Sequence, residues 1–145
     1  MRKVLIPVLT LLIGIAVGGG IGSRALGGAA PEKIGALTRV TLLHAAAPST
    51  QTAEGTPYEI YVYDVTVPAG GVVPRHYHPG NETFVVTQGT GVFQEDGKPE
   101  VMLKPGVTVH IDPKKVHKAK ATGAGFKLID FGVYEAGQPS ATVVK

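Results

Sequence analysis

Residues 58–89 read YEIYVYDVTVPAGGVVPRHYHPGNETFVVTQG. The first ten, Tyr58 to Val67, are almost all aromatic or β-branched, and both of their faces are largely apolar. That pattern predicts a strand with little of either face in water. Pro68 to Gly71 closes it. Val72 to His78 predicts the next strand, Pro79-Gly80 a turn, and Thr83 to Thr87 a third strand. His76 and His78 stand two apart, so on a strand their imidazoles leave the same face. Glu82 returns four residues later, beyond the turn, and can bring a carboxylate to the same side.

Working outward, the same texture continues. Leu37 to Leu43 leans toward strand, and Ala45 to Pro57 reads as a loop. Gly89-Thr90-Gly91 punctuates before a strand at Val92 to Glu95, and Asp96-Gly97 tolerates the positive φ of a tight hairpin turn. Val101 to Leu103, Val107 to Ile111 and Phe126 to Val133 complete the set. Short strands and turns at intervals of about 8–12 residues predict an all-β sandwich or barrel. The 20 Gly and 11 Pro agree, since both residues oppose helix interiors. At 145 residues the chain has room for one domain.

The chain has no Cys, which excludes disulfides, thiolate metal sites and cysteine nucleophiles. Its net charge of +3 comes from Arg2, Lys3 and Arg24. From Pro31 onward 11 basic residues balance 11 acidic ones. A neutral domain lacks the positive field that nucleic acid demands, so no nucleic-acid partner is expected. Arg2 and Lys3 precede twenty uncharged residues, Val4 to Ser23. Residues 1–30 therefore read as a secretory signal peptide or a retained transmembrane anchor. Either places the barrel outside the cytoplasm, periplasmic or extracellular, with the membrane touched only through that segment. Residues 31–36 read as a linker, 37–139 as the barrel and 140–145 as a tail.

His76, His78, Glu82 and His117 form the candidate metal set. Three imidazoles and one carboxylate suit one divalent transition ion, Mn, Fe, Ni, Cu or Zn, and do not suit Ca or Mg. His110 competes with His117 as the third histidine, since alternation along its strand can point it either way. His44 lies before a loop and reads as an ordinary strand residue. Tyr61 and Tyr63 share one face of the strongest strand and are the catalytic candidates, because a phenol beside a metal can act as an acid. Tyr77 should point away from its histidine neighbours. Lys114, Lys115, Lys118 and Lys120 flank His117 and suit an anionic substrate.

Gly70-(x)5-His76-x-His78-(x)3-Glu82-(x)6-Gly89 resembles the first motif of the cupin superfamily. A looser second motif follows at Gly106, Pro113 and His117. Its spacings differ from the usual ones by one or two residues, and Ala121 stands where the customary Asn would be. The wording HPGNE, the turn DGK and the closing GQP resemble small exported single-domain cupins. The resemblance implies an antiparallel jelly-roll β-barrel over about residues 37–139, a metal inside one end, and a homodimer. It also implies a metal-dependent enzyme of small organic molecules, a dioxygenase, isomerase or decarboxylase, with oxygenase or other oxidoreductase chemistry favoured. The alternatives are a non-catalytic small-molecule or metal-binding module, and a metal-free storage-like barrel.

Overall fold

The computed structural model describes residues 30–47, 55 and 57–145. The signal or anchor expected for residues 1–30 lies almost wholly outside them. Nine strands and no helix occur among the described residues: β1 (Glu32–Ile34), β2 (Leu37–Ala46), β3 (Tyr58–Pro68), β4 (Val72–Tyr77), β5 (Asn81–Glu95), β6 (Val101–Leu103), β7 (Thr108–Ile111), β8 (His117–Glu135) and β9 (Thr142–Val143). All pairings are antiparallel.

Two long strands, β5 and β8, organise everything else. They pair with each other along nearly their whole lengths, Asn81 opposite Val133 at one end and Glu95 opposite His117 at the other. The ladder breaks register between Gly89 and Thr90, where the partner jumps from Phe126 to Thr122. The ribbon turns a corner there and contributes to two faces. Beyond the corner β8 pairs with β3 and β5 with β7, giving the order β1-β2-β3-β8-β5-β7. Before it, β8 pairs with β4 and β5 with β6, giving β9-β4-β8-β5-β6. Such a shared, folded ribbon is how a jelly roll closes over its core. Gly89 has φ +74°, and a Cβ there would lie 2.0 Å from the Gly125 carbonyl oxygen, so only glycine fits this corner.

Strand alternation then fills the interior. Tyr63, Val65 and Val67 from β3 meet Phe84 and Val86 from β5 and Leu128 from β8. Gly89-Thr90-Gly91 was expected to separate two strands; it bends one. β8 begins at His117 rather than Phe126, and Ala119 and Ala121 face inward while Lys118 and Lys120 face out. The segment expected as a linker supplies β1, and the expected tail supplies β9, which pairs with β4 at His76 and Tyr77.

Candidate metal centre

His76 lies on the core face of β4, and its cross-strand partner is His117, the first residue of β8. The two rings are 4.2 Å apart at their centroids. His78, two residues on, points the same way as alternation requires, with its ring centroid 4.9 Å from that of His76 and 5.2 Å from that of His117. All three are buried, and their ligand-capable nitrogens lie within 4.8 Å of one another.

Each ring is held from behind by a main-chain carbonyl. His76 Nδ1 is 2.8 Å from the Pro74 oxygen and His117 Nδ1 is 2.9 Å from the Lys115 oxygen. His78 Nδ1 bonds the Ser140 oxygen, sixty-two residues away in sequence. With Nδ1–H donating to a carbonyl, Nε2 keeps its lone pair, and that is the tautomer a metal needs. Glu82 arrives from β5 on the facing sheet. Its Oε2 is 3.1 Å from His78 Nε2 and 3.4 Å from His117 Nε2. Yet His78 Nε2 and Glu82 Oε2 are both buried with no hydrogen-bond partner of acceptable geometry. Buried polar atoms are normally satisfied, and a cation shared by these donors would satisfy them. The N₃O set therefore fits a divalent transition ion.

The electrostatics agree with that fit. Burial, reinforced by the neighbouring His117 and His78, lowers His76 to about 4. Burial also lowers His117. Burial presses on His78 too, but the Glu82 carboxylate overrides it and its pKa is raised. Glu82 is buried, which alone would raise it, yet the imidazoles, His78 foremost, hold it down to about 2. Two imidazoles are thus neutral and ready to ligate.

The other expected residues fall elsewhere. His110 is exposed on β7 and hydrogen-bonds Thr83, so His117 is the histidine that joins His76 and His78. His44 stacks on Tyr61 and pairs with Glu59. Tyr61 hydrogen-bonds Glu59, and Tyr63 is packed in the core; neither contributes to the cavity beside the histidines. Burial, against the opposing pull of Arg39, pushes the Tyr63 phenol up to about 12. Tyr77 lies between the two histidines on the opposite face and pairs with Thr142. Lys118 and Lys120 line an outer groove with Glu100, and Lys114 and Lys115 are exposed.

The cavity itself is about 50 Å³ and lies between the two sheets. Its polar wall is the three histidines, Glu82, and two residues not foreseen, Arg39 on β2 and Asp130 on β8. The remainder is apolar, with Phe84, Phe93 and Leu128 among the lining side chains. Asp130 is buried beside Glu82, and burial and that neighbouring carboxylate hold its carboxyl well above the usual range. Tyr134 was also unforeseen. Its ring stacks on His78 at 5.2 Å and 6°, and its hydroxyl is buried without a partner.

No curated protein matches the sequence. Solved structures do. A cupin-like protein from Thermotoga maritima is 28% identical with a TM-score of 0.52, over 74% of this chain and 75% of that one. An RmlC-like cupin from Shewanella frigidimarina is 19% identical with a TM-score of 0.55, over 84% and 91%. The DMSP lyase DddQ from Ruegeria pomeroyi is 24% identical with a TM-score of 0.54, over 59% of this chain. The chain spans only 43% and 53% of the length of the two DMSP lyase structures it matches. Residues 63–131 match the cupin domain family, a span that runs from the core of β3 through three of the candidate ligands and past the fourth, His117, into β8. Motif, folded ribbon and family match converge on the cupin superfamily, whose domain residues 63–131 carry.

Proposed function

We propose that the chain is an exported, mononuclear metal-dependent enzyme acting on a small organic molecule. One observation carries this reading: three buried imidazoles converge, each fixed by a carbonyl behind it, with an unsatisfied Glu82 oxygen beside two of them. His76, His78, His117 and Glu82 would hold the ion. Bound there, it would supply Lewis acidity and, if redox-active, access to oxygen chemistry.

The chain's own groups set the rest of the chemistry. The apolar wall excludes water and strengthens every charge inside. Asp130, whose carboxyl is held well above the usual range by burial and by Glu82, is placed to donate a proton or a hydrogen bond within the cavity. Oxygenase or other oxidoreductase chemistry is preferred to isomerisation or decarboxylation by analogy with enzymes of this fold. Export rests on residues 1–30, and a homodimer on the resemblance; fractionation and solution mass test each.

The experiment is metal analysis of protein purified without chelator or added metal, on wild type and His76→Ala. Near-stoichiometric transition metal in wild type and loss in the variant is expected. Full occupancy in His76→Ala would overturn the site. Metal binding with neither oxygen uptake nor product, across phenolics, keto acids and sugars, would favour a non-catalytic binding module.

A further inference from the structure

Among the described residues, Arg39 is the one permanent cation on the wall of the metal cavity. It sits on the core face of β2 and is only 5% exposed. Its guanidinium lies over the Tyr63 ring, 4.4 Å from the centroid. Nε and Nη2 both donate to a single oxygen of Glu32, Oε2, at 2.9 and 2.7 Å, and Nη2 also donates to Ser140 Oγ at 2.6 Å. Glu32 belongs to the three-residue edge strand β1, and its side chain is 59% exposed. Arg39 and Ile34 also line an outer groove of about 360 Å³, bounded by residues 32–35 and by Pro139 to Val143. Arg39 therefore stands where groove and cavity meet.

We propose that this passage is a binding site for a small organic carboxylate, whose carboxylate takes Arg39 in exchange for Glu32 and whose second polar group is turned toward the three histidines. The proposal deepens the metal-enzyme reading and rests on it only for that second contact.

Three features support the exchange. A buried guanidinium must stay paired, whereas an exposed carboxylate is released to water at little cost. Glu32 engages Arg39 through one oxygen, so the two-oxygen fork that guanidinium and carboxylate can form is left half used. Glu82 and Asp130, the two acids in the cavity, are turned to the imidazoles and to each other, and do not appear among the hydrogen-bond partners of Arg39. Size limits the ligand further. At about 10–15 Å³ of cavity volume per water, the inner cavity of about 50 Å³ admits a group of only a few heavy atoms.

The test is calorimetric. Full-length protein, zinc-loaded and separately chelator-treated, is titrated with acetate, pyruvate and oxalate, and with methyl pyruvate as the uncharged control. At least one anion should bind. Arg39→Gln should weaken it by about tenfold to a hundredfold, the range of a charge-assisted bond, with Arg39→Lys between. Glu32→Gln should tighten it about two- to fivefold by removing an internal competitor worth no more than an exposed ion pair. Methyl pyruvate should respond to none of these changes.

Failure of all three anions to bind, wild-type affinity in Arg39→Gln, or weaker binding in Glu32→Gln would overturn the proposal. The last variant alters an exposed head group, so it decides the matter even if Arg39→Gln does not fold. Anion binding that survives chelation and gains from Glu32→Gln, in a protein that takes up no zinc, would sink the metal reading and leave this one standing. Zinc uptake without anion binding would do the reverse.

Discussion

Gly132→Ala should damage the candidate metal centre from behind. Gly132 and Tyr134 are two apart on β8 and face the core together. A Cβ at 132 would lie 2.3 Å from Tyr134 Cζ, 2.5 Å from Cε2 and 2.6 Å from the hydroxyl. Carbons rest at about 3.5–4.0 Å, so the ring must retreat by roughly 1 Å. It has nowhere free to go. Tyr134 is 1% exposed, stacked on His78 at 5.2 Å and tilted against Tyr61 at 5.6 Å. Overpacking of this kind costs about 1–3 kcal/mol, and the displaced ring bears on a candidate ligand. Urea denaturation of metal-free protein and competitive zinc titration should both register the change. Tyr134→Phe keeps Cζ, so it should not rescue Gly132→Ala. Tyr134→Leu removes the clashing ring and should recover part of the loss as a favourable coupling of about 0.5–3 kcal/mol. A single variant within about 0.5 kcal/mol of wild type with unchanged zinc affinity, or a strictly additive double variant, would refute the reasoning.

Acid should weaken the metal-free protein through its histidines. His76, lowered to about 4, and His117, also lowered, refuse protons that the unfolded chain accepts below about pH 6.5. Stability should therefore fall as pH drops from 6.5 toward 4, by about 2–4 kcal/mol for His76 alone. His78, with its raised pKa, opposes this, since its contribution is present below 6.5 and lost as pH rises through its folded value; urea midpoints that rise between pH 7 and 5 would contradict the expected balance. Ending the chain at Gln138 removes both β9 and the Ser140 carbonyl that holds His78, and should cost about ten- to a hundredfold in zinc affinity; unchanged affinity in a folded truncation would deny the carbonyl that role. Lys118→Glu with Lys120→Glu should change carboxylate affinity by less than about twofold at 0.15 M salt, because both side chains face an outer groove; a tenfold loss would return the anion site to the lysines.

Much of the barrel was legible because its strands are long, β-branched and alternating. Tyr58 to Pro68 is the clearest case, with Tyr63, Val65 and Val67 all buried on one face. His76, His78 and Glu82 were legible for the same reason, since i, i+2 spacing and a turn carry their geometry directly. The first half of β8 was not. HKAKA puts alanine inside and lysine outside, and neither residue favours strands on its own. Only pairing with β4 and β5 makes that stretch extended. β1 and β9, three and two residues long, are too short to show any period. The Ser140 contact leaves no trace in side-chain chemistry, because a carbonyl belongs to every residue.

Arg39 and Asp130 differ from these, since their signal was present and pointed to function. LTRVTLL carries Arg39, and FKLIDFG carries Asp130, on the same alternation as a preceding leucine, Leu37 and Leu128. On a strand whose neighbours at i±2 are buried or half-buried, a charge at i must face the core or break the alternation. The structure takes the first course, with Arg39 following Leu37 and Asp130 following Leu128. A buried charge left without a partner costs several kcal/mol, so each such residue implies a second polar group opposite it. For Asp130 that group is Glu82; for Arg39 it is Glu32, held at the surface by a three-residue edge strand. The inner acid lies beside the histidine cluster, and the inner cation borders both the cavity and the outer groove. Between them the polar groups of this interior lie along one line, from the groove beside β1 through Arg39 to the histidines, and a carboxylate entering along that line would meet Arg39 first and an ion held by the histidines second.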